Sequence, residues 1–300
     1  MRIDYRLPLA VGILVVHTSI SAAPPANPVI HGGQPVVSPD GDRIAFLSNR
    51  AGADDLYVIG AKGSGEKRLT QTADGEIAPQ WLAGGKEIAF SIQTDDTSRL
   101  YAMDLKGKSR REIGEYLGRA PVLSPDGTKV VFMGGTWTAT KLTVAASDGK
   151  QPVEITDGTS IAWNHQWSPD GKRIAFTGRK EARGELAVFV MNADGSDPRQ
   201  VSNVPADEGG AQWPVWSPDG TKLAVQVNSR SEKESAFLWV VDVVTGQGKK
   251  LGTHDRKCVD ETPSWFPDGK RIAFQSNRTG TMEVWVMNAD GTGARQVTGR

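Results

Sequence analysis

Apolar residues in this chain come in short bursts of roughly four to seven, rich in Val, Ile, Phe and Trp, each closed off by Gly, Pro, Asp or Asn. Bursts of that length bounded by turn residues predict β-strands, since a helix needs a longer periodic run. Two of them are spelled almost alike: "QWSPDGKRIAF" from Gln166 to Phe176 and "VWSPDGTKLAV" from Val215 to Val225.

That wording belongs to a longer period. SPDG begins at Ser38, Ser124, Ser168 and Ser217, FPDG at Phe266, and a decayed LAGG at Leu82 is still followed by KEIAF. Successive anchors lie 42 to 49 residues apart. Each unit keeps one order: a segment ending in Trp or an aliphatic residue, the turn, an apolar stretch such as Arg271 to Phe274, and a variable loop. A second apolar stretch such as Glu283 to Met287, a turn such as NADG, and RQVT complete it. Four strands per unit at a period of about 40–45 residues predict a β-propeller with one unit per blade. The expected fold is therefore all-β, a six-bladed β-propeller of four-stranded antiparallel blades over residues 34–300.

In SPDG the chemistry is that of a backbone turn. Proline presets φ at the second position of a type I turn, Asp tolerates the third, and Gly takes the positive φ that sends the chain into the next strand. NADG, at 192–195 and 288–291, has the flavour of a calcium loop but lacks the distal glutamate, which favours a turn there too. Trp81, Trp167, Trp216 and Trp265 stand immediately before the turn, where Val37 and Leu123 stand in the other two units, and are expected to pack between blades. Decay of the turn to Ala83-Gly84-Gly85 marks the second blade as the one expected to be least regular.

The stretches Trp167 to Phe176, Val215 to Ala224, Val190 to Gly195 and Trp285 to Gly291 resemble the TolB-like family of WD-type β-propeller repeats. The resemblance implies a periplasmic propeller that binds a protein or peptide of the cell envelope. It is confined to the propeller: the family's namesake carries an α/β domain ahead of it, whereas only residues 24–33 are left here as a linker.

Composition narrows the reading. Lys plus Arg equals Asp plus Glu at 35 each, with no basic run, so nucleic acid is not an expected partner. Arg2 and Arg6, the apolar run Leu7 to Val16 and the small residues up to Ala23 are laid out like a secretory signal peptide over residues 1–23. With that segment cleaved, no membrane span is expected, and the localisation expected is periplasmic or secreted. The only cysteine, Cys258, cannot form an internal disulfide. A monomer is expected. Asn27 to His31 offer a closing strand for the sixth blade.

Antiparallel order puts the short SPDG and NADG turns on one face and the loops of varying length on the other, where binding is usually built. Inner strands line the channel. Three places before each anchor stand Pro35, Pro79, Pro121, His165, Pro214 and Pro263, and His165 breaks the pattern. With Arg119, Asn164, Gln212, Trp213 and Glu261 it forms the expected partner-binding set. Glu76, Asp260 and Glu261 are the candidate ligands for Ca²⁺, an ion that takes several oxygens; no other cofactor is expected. Ordinary solvated channel lining accounts for the same residues. No G-x-S-x-G, H-E-x-x-H or phosphate loop is present, so no catalytic residue is assigned. The alternative is a secreted lyase or hydrolase acting on a carbohydrate or peptide through the channel His and acidic residues.

Overall fold

The computed structural model describes residues 31–299 apart from 74, 95, 137–138, 159–160, 180–183, 206, 231–235 and 253–257. The expected leader, Asn27 to Ile30 and parts of the variable loops lie outside the described residues. Among the described residues twenty-four strands form six separate four-stranded sheets, each running in chain order from the channel outward. Every pairing within a sheet is antiparallel; in blade one the strands are Gly33–Val37, Arg43–Ser48, Asp55–Gly60 and Lys67–Arg68. Among the described residues no helix is long and apolar enough to cross a membrane. The propeller expected from the spacing is the propeller found.

The repeated words explain themselves locally. Ser124 Oγ donates to Asp126 at 2.6 Å, Asp126 accepts the Thr128 amide at 3.0 Å, and Ser124 Oγ accepts the Lys129 amide at 2.9 Å. Those hydrogen bonds hold the Asp126 carboxyl down to about 2, the Ser124 hydroxyl contributing most. Its carboxylate is spent inside the turn. The final glycine has φ between 64° and 75° in all six blades, from Gly41 to Gly269. An L side chain there costs about 1–2 kcal/mol. Blade two has lost Ser, Pro and Asp yet keeps the turn, with Leu82 N to Glu87 O and Gly85 N to Leu82 O both at 3.0 Å. Irregularity was expected there, and backbone bonding with two glycines supplies the turn without the side chains. In the NADG turns Asp194 and Asp290 accept amides two residues on, which is turn closure.

The last letter of RQVT has a task as well. Thr70, Thr156, Ser202 and Thr298 each accept, through the hydroxyl, the amide of Leu56, Leu142, Val188 or Val284 on the third strand at 2.8–2.9 Å. This pins the end of an outer strand only two residues long in four of the blades.

Blades meet along apolar seams. The four expected tryptophans are buried there, and each indole N–H crosses to the preceding blade: Trp81 to Val36 O, Trp167 to Val122 O, Trp216 to Gln166 O and Trp265 to Val215 O, at 2.8–3.3 Å. Among the described residues blade one and blade six each contain four consecutive strands, with none exchanged between them. A shared cluster including Val37, Ile44, Phe46, Phe266, Val284 and Val286 seals that seam. Both His31 N and Gly32 N donate to Met282 O at 3.1 Å. A side chain on Gly32 would lie 2.8 Å from Val284 N, so the close approach needs glycine.

Candidate functional site

Every inner strand carries one β-bulge, four places before the turn. Gln34, Ala78, Ala120, Asn164, Trp213 and Thr262 all have φ between 46° and 54°, the left-handed region that non-glycine residues pay about 1–2 kcal/mol to enter. Neighbouring blades bond the amides of two of them. Thr177 Oγ1 accepts the Trp213 amide at 3.2 Å, and Gln275 Oε1 accepts the Gln34 amide at 2.7 Å, each from the second strand of the preceding blade. A bulge leaves one residue outside the ladder, so proline, which has no N–H, fits at the next position in five blades.

In the fourth blade that position is His165. Only 2% of it is exposed, and its Nε2–H donates to Ala120 O, the bulge residue of blade three, at 2.9 Å. Burial pushes the imidazole down to about 4, with the backbone carbonyls of Ala120 and Val131 opposing that shift. The ring is neutral near pH 7 and sits inside the wall, tying blade four to blade three.

One place before each bulge stand Gly33, Ile77, Arg119, Trp163, Gln212 and Glu261, near the end of the channel that opens toward the variable loops. Arg119 belongs to blade three and Glu261 to blade six, three blades apart in either direction. Among the described residues at this level, the one cation and the one carboxylate therefore stand on opposite sides of the ring. Asn164 and Trp213, at the bulges of blades four and five, are half-buried on the rim between them.

Around Glu261 the lining is unusually polar. Gln212 pairs across the ladder with Gln226, and Glu261 with Gln275. Asn228 Oδ1 accepts from Gln226 Nε2 at 3.1 Å and from Gln212 Nε2 at 3.3 Å. Burial raises the Glu261 carboxyl above the ordinary range; the Gln275 and Gln226 amides oppose this, and the neighbouring Asp260 adds to it. Gln226 and Gln275 were not singled out from the sequence. Their signal is the fifth letter of the strand after the turn, where Thr177, Gln226 and Gln275 stand against Leu47 and Met133 in blades one and three.

The proposed calcium ligands are not gathered. Glu76 and Asp260 occupy equivalent places in blades two and six, with blade one between them, one residue before the level of Glu261. Glu76 accepts from Thr72 Oγ1 at 2.8 Å and has its carboxyl raised by burial, while Asp260 holds Arg278 at 2.6 Å. Among the described residues no group of three or more His, Cys, Asp or Glu converges on a common point.

The model of the TolB beta propeller domain matches residues 24–139, 73–213 and 134–300, which together cover nearly all of the chain. The chain belongs to the TolB beta-propeller domain family. TolB from Acinetobacter baumannii shares this fold with a TM-score of 0.71 at 20% identity, over 87% of this chain and 65% of that one. Oligogalacturonate lyase from Vibrio parahaemolyticus is similar at 0.57 and 14% identity, over 89% of this chain and 78% of that one. Dipeptidyl-peptidase 5 of Porphyromonas gingivalis is 26% identical over 282 residues, spanning 70% of this chain and 40% of that protein. The chain spans less than half the length of the peptidase relatives it matches. In this TolB-type propeller the described residues of the mouth include charge of both signs, amides that donate and accept, and half-buried indoles.

Proposed function

We propose that the protein is an exported, monomeric TolB-like propeller that binds a protein or peptide of the cell envelope through its channel mouth and variable-loop face. The observation that supports this is the position of Arg119 on blade three and Glu261 on blade six, opposite one another in the ring, with Asn164, Gln212 and Trp213 on the blades between them. Complementary charges fix register and speed encounter more than they add raw affinity, as expected for a partner captured as an extended segment. His165 contributes by holding the wall beneath the rim.

The test is a pull-down from native envelope extract with the protein lacking residues 1–23, beside an Arg119→Ala/Glu261→Ala variant shown to melt at the same temperature. Recovery of one discrete protein by the first bait and its loss with the second supports the reading. Equal recovery by both removes the channel mouth from it. If neither recovers a protein but peptide or pectic oligosaccharide is turned over, the enzymatic alternative, favoured by the similarity to peptidases and a lyase, replaces it.

A further inference from the structure

The Glu261 carboxylate is met by the amides of Gln275 and Gln226. Among the described residues no Lys, Arg or His pairs with this carboxylate, although the adjacent Asp260 holds Arg278. Beside it, Gln226 is 2% exposed and its Oε1 is buried without a hydrogen-bond donor. Its Nε2 donates to Asn228 Oδ1, which takes a second bond from Gln212, and together with the Gln275 amide it also faces the Glu261 carboxylate, so only the oxygen of Gln226 is left without a partner. Gln275 Oε1 is likewise occupied by the Gln34 amide. A buried acceptor left without a donor costs about 1–3 kcal/mol, and such atoms in native proteins call for an explanation.

We propose that Glu261 and Gln226 Oε1 form a subsite for a guanidinium group, the arginine side chain of a bound peptide. This rests on the channel mouth being the binding face and names the chemistry of one point on it. The group should be cationic, because among the described residues the carboxylate has amide donors but no cation beside it. It must also carry several donors, because a carboxylate and an amide oxygen wait together on neighbouring blades. A planar fork of five N–H groups meets both requirements, and an ammonium point charge meets only the first. Arg119, across the ring, repels a second cation and so gives the bound segment a direction.

The experiment measures binding of three blocked amino acids to the intact protein by calorimetry: N-acetyl-arginine methylamide, the lysine analogue, and the isosteric but uncharged citrulline analogue. The arginine probe should bind at least roughly tenfold more tightly than citrulline and more tightly than lysine. Glu261→Gln, which keeps the shape and removes the charge, should abolish that preference, while Asp219→Asn on the opposite face should not. Equal binding of arginine and citrulline, no binding of arginine, equal binding of lysine, or a preference that survives Glu261→Gln each overturns the proposal. Failure here with a partner still captured from the extract leaves the envelope-binding reading standing. An arginine preference with no captured partner does the reverse.

Discussion

Four of the six seams between blades contain a tryptophan and two do not, and the two kinds solve the same problem from opposite sides. In the first kind the indole reaches back to a carbonyl on the preceding inner strand, and the residue bearing that carbonyl is Val36, Val122, Gln166 or Val215. Where Leu123 and Val37 replace tryptophan, the preceding blade reaches forward. Gln80 takes both backbone groups of Leu123, donating to its O at 2.9 Å and accepting its N–H at 3.0 Å. Ser264 Oγ accepts the Val37 amide at 3.0 Å. A repeat can thus lose a letter and keep a contact, provided the neighbouring unit changes too.

The largest test of that difference is Trp167→Ala or Trp265→Ala. Each removes a buried indole and its hydrogen bond, and denaturant unfolding should show a loss of about 3–5 kcal/mol. A loss below about 1 kcal/mol would mean that these seams rest on something else.

His165 strengthens the seam between blades three and four in a pH-dependent way. Its folded value of about 4 lies below the ordinary 6.5, so between these values the unfolded chain takes up a proton that the folded chain refuses. Stability should be fully present above pH 6.5 and fall as pH drops toward 4, by up to about 3 kcal/mol. His165→Pro, which restores the residue used in the other blades, should flatten that dependence; matching slopes for the two proteins would refute it.

A smaller effect is expected in the seams without tryptophan. Gln80→Ala should cost about 1–3 kcal/mol in chemical denaturation, because Leu123 loses partners for both backbone groups. The smallest effect sharpens the comparison most. Placing Val36→Gln in a Trp81→Leu background should recover about 0.5–1 kcal/mol relative to Trp81→Leu alone, read as a coupling energy.

The sequence disclosed what depends on local chemistry. Proline, aspartate and glycine announce the turns, the period announces the blades, and the tryptophans announce the seams. The bulges are less legible because Gln34, Ala78, Ala120, Asn164, Trp213 and Thr262 share φ but no one side-chain type, and at Gln34 and Trp213 the amide is held from another blade. Only the proline after them left a trace. For the same reason His165, conspicuous as the break in that proline column, lies inside the wall. Glu76 and Asp260 fall one residue away from Glu261 in the register, which puts them in different surroundings. Arg119 and Glu261 were visible as candidates, but their opposition across the ring required the ring itself.

Each sheet is one unbroken stretch of chain, and this governs the order in which the molecule can be assembled. As the polypeptide emerges from the machinery that makes it, each blade can pair its own strands at once, since its partners are near neighbours in sequence. One seam must wait. Gln34 and Gln275 are 241 positions apart, so the flank of blade one that carries Ile44 and Phe46 stays uncovered until Val284 and Val286 arrive. Closing so long a loop is the slow, entropically costly step, and during that interval the nascent protein exposes the edge most open to wrong partners.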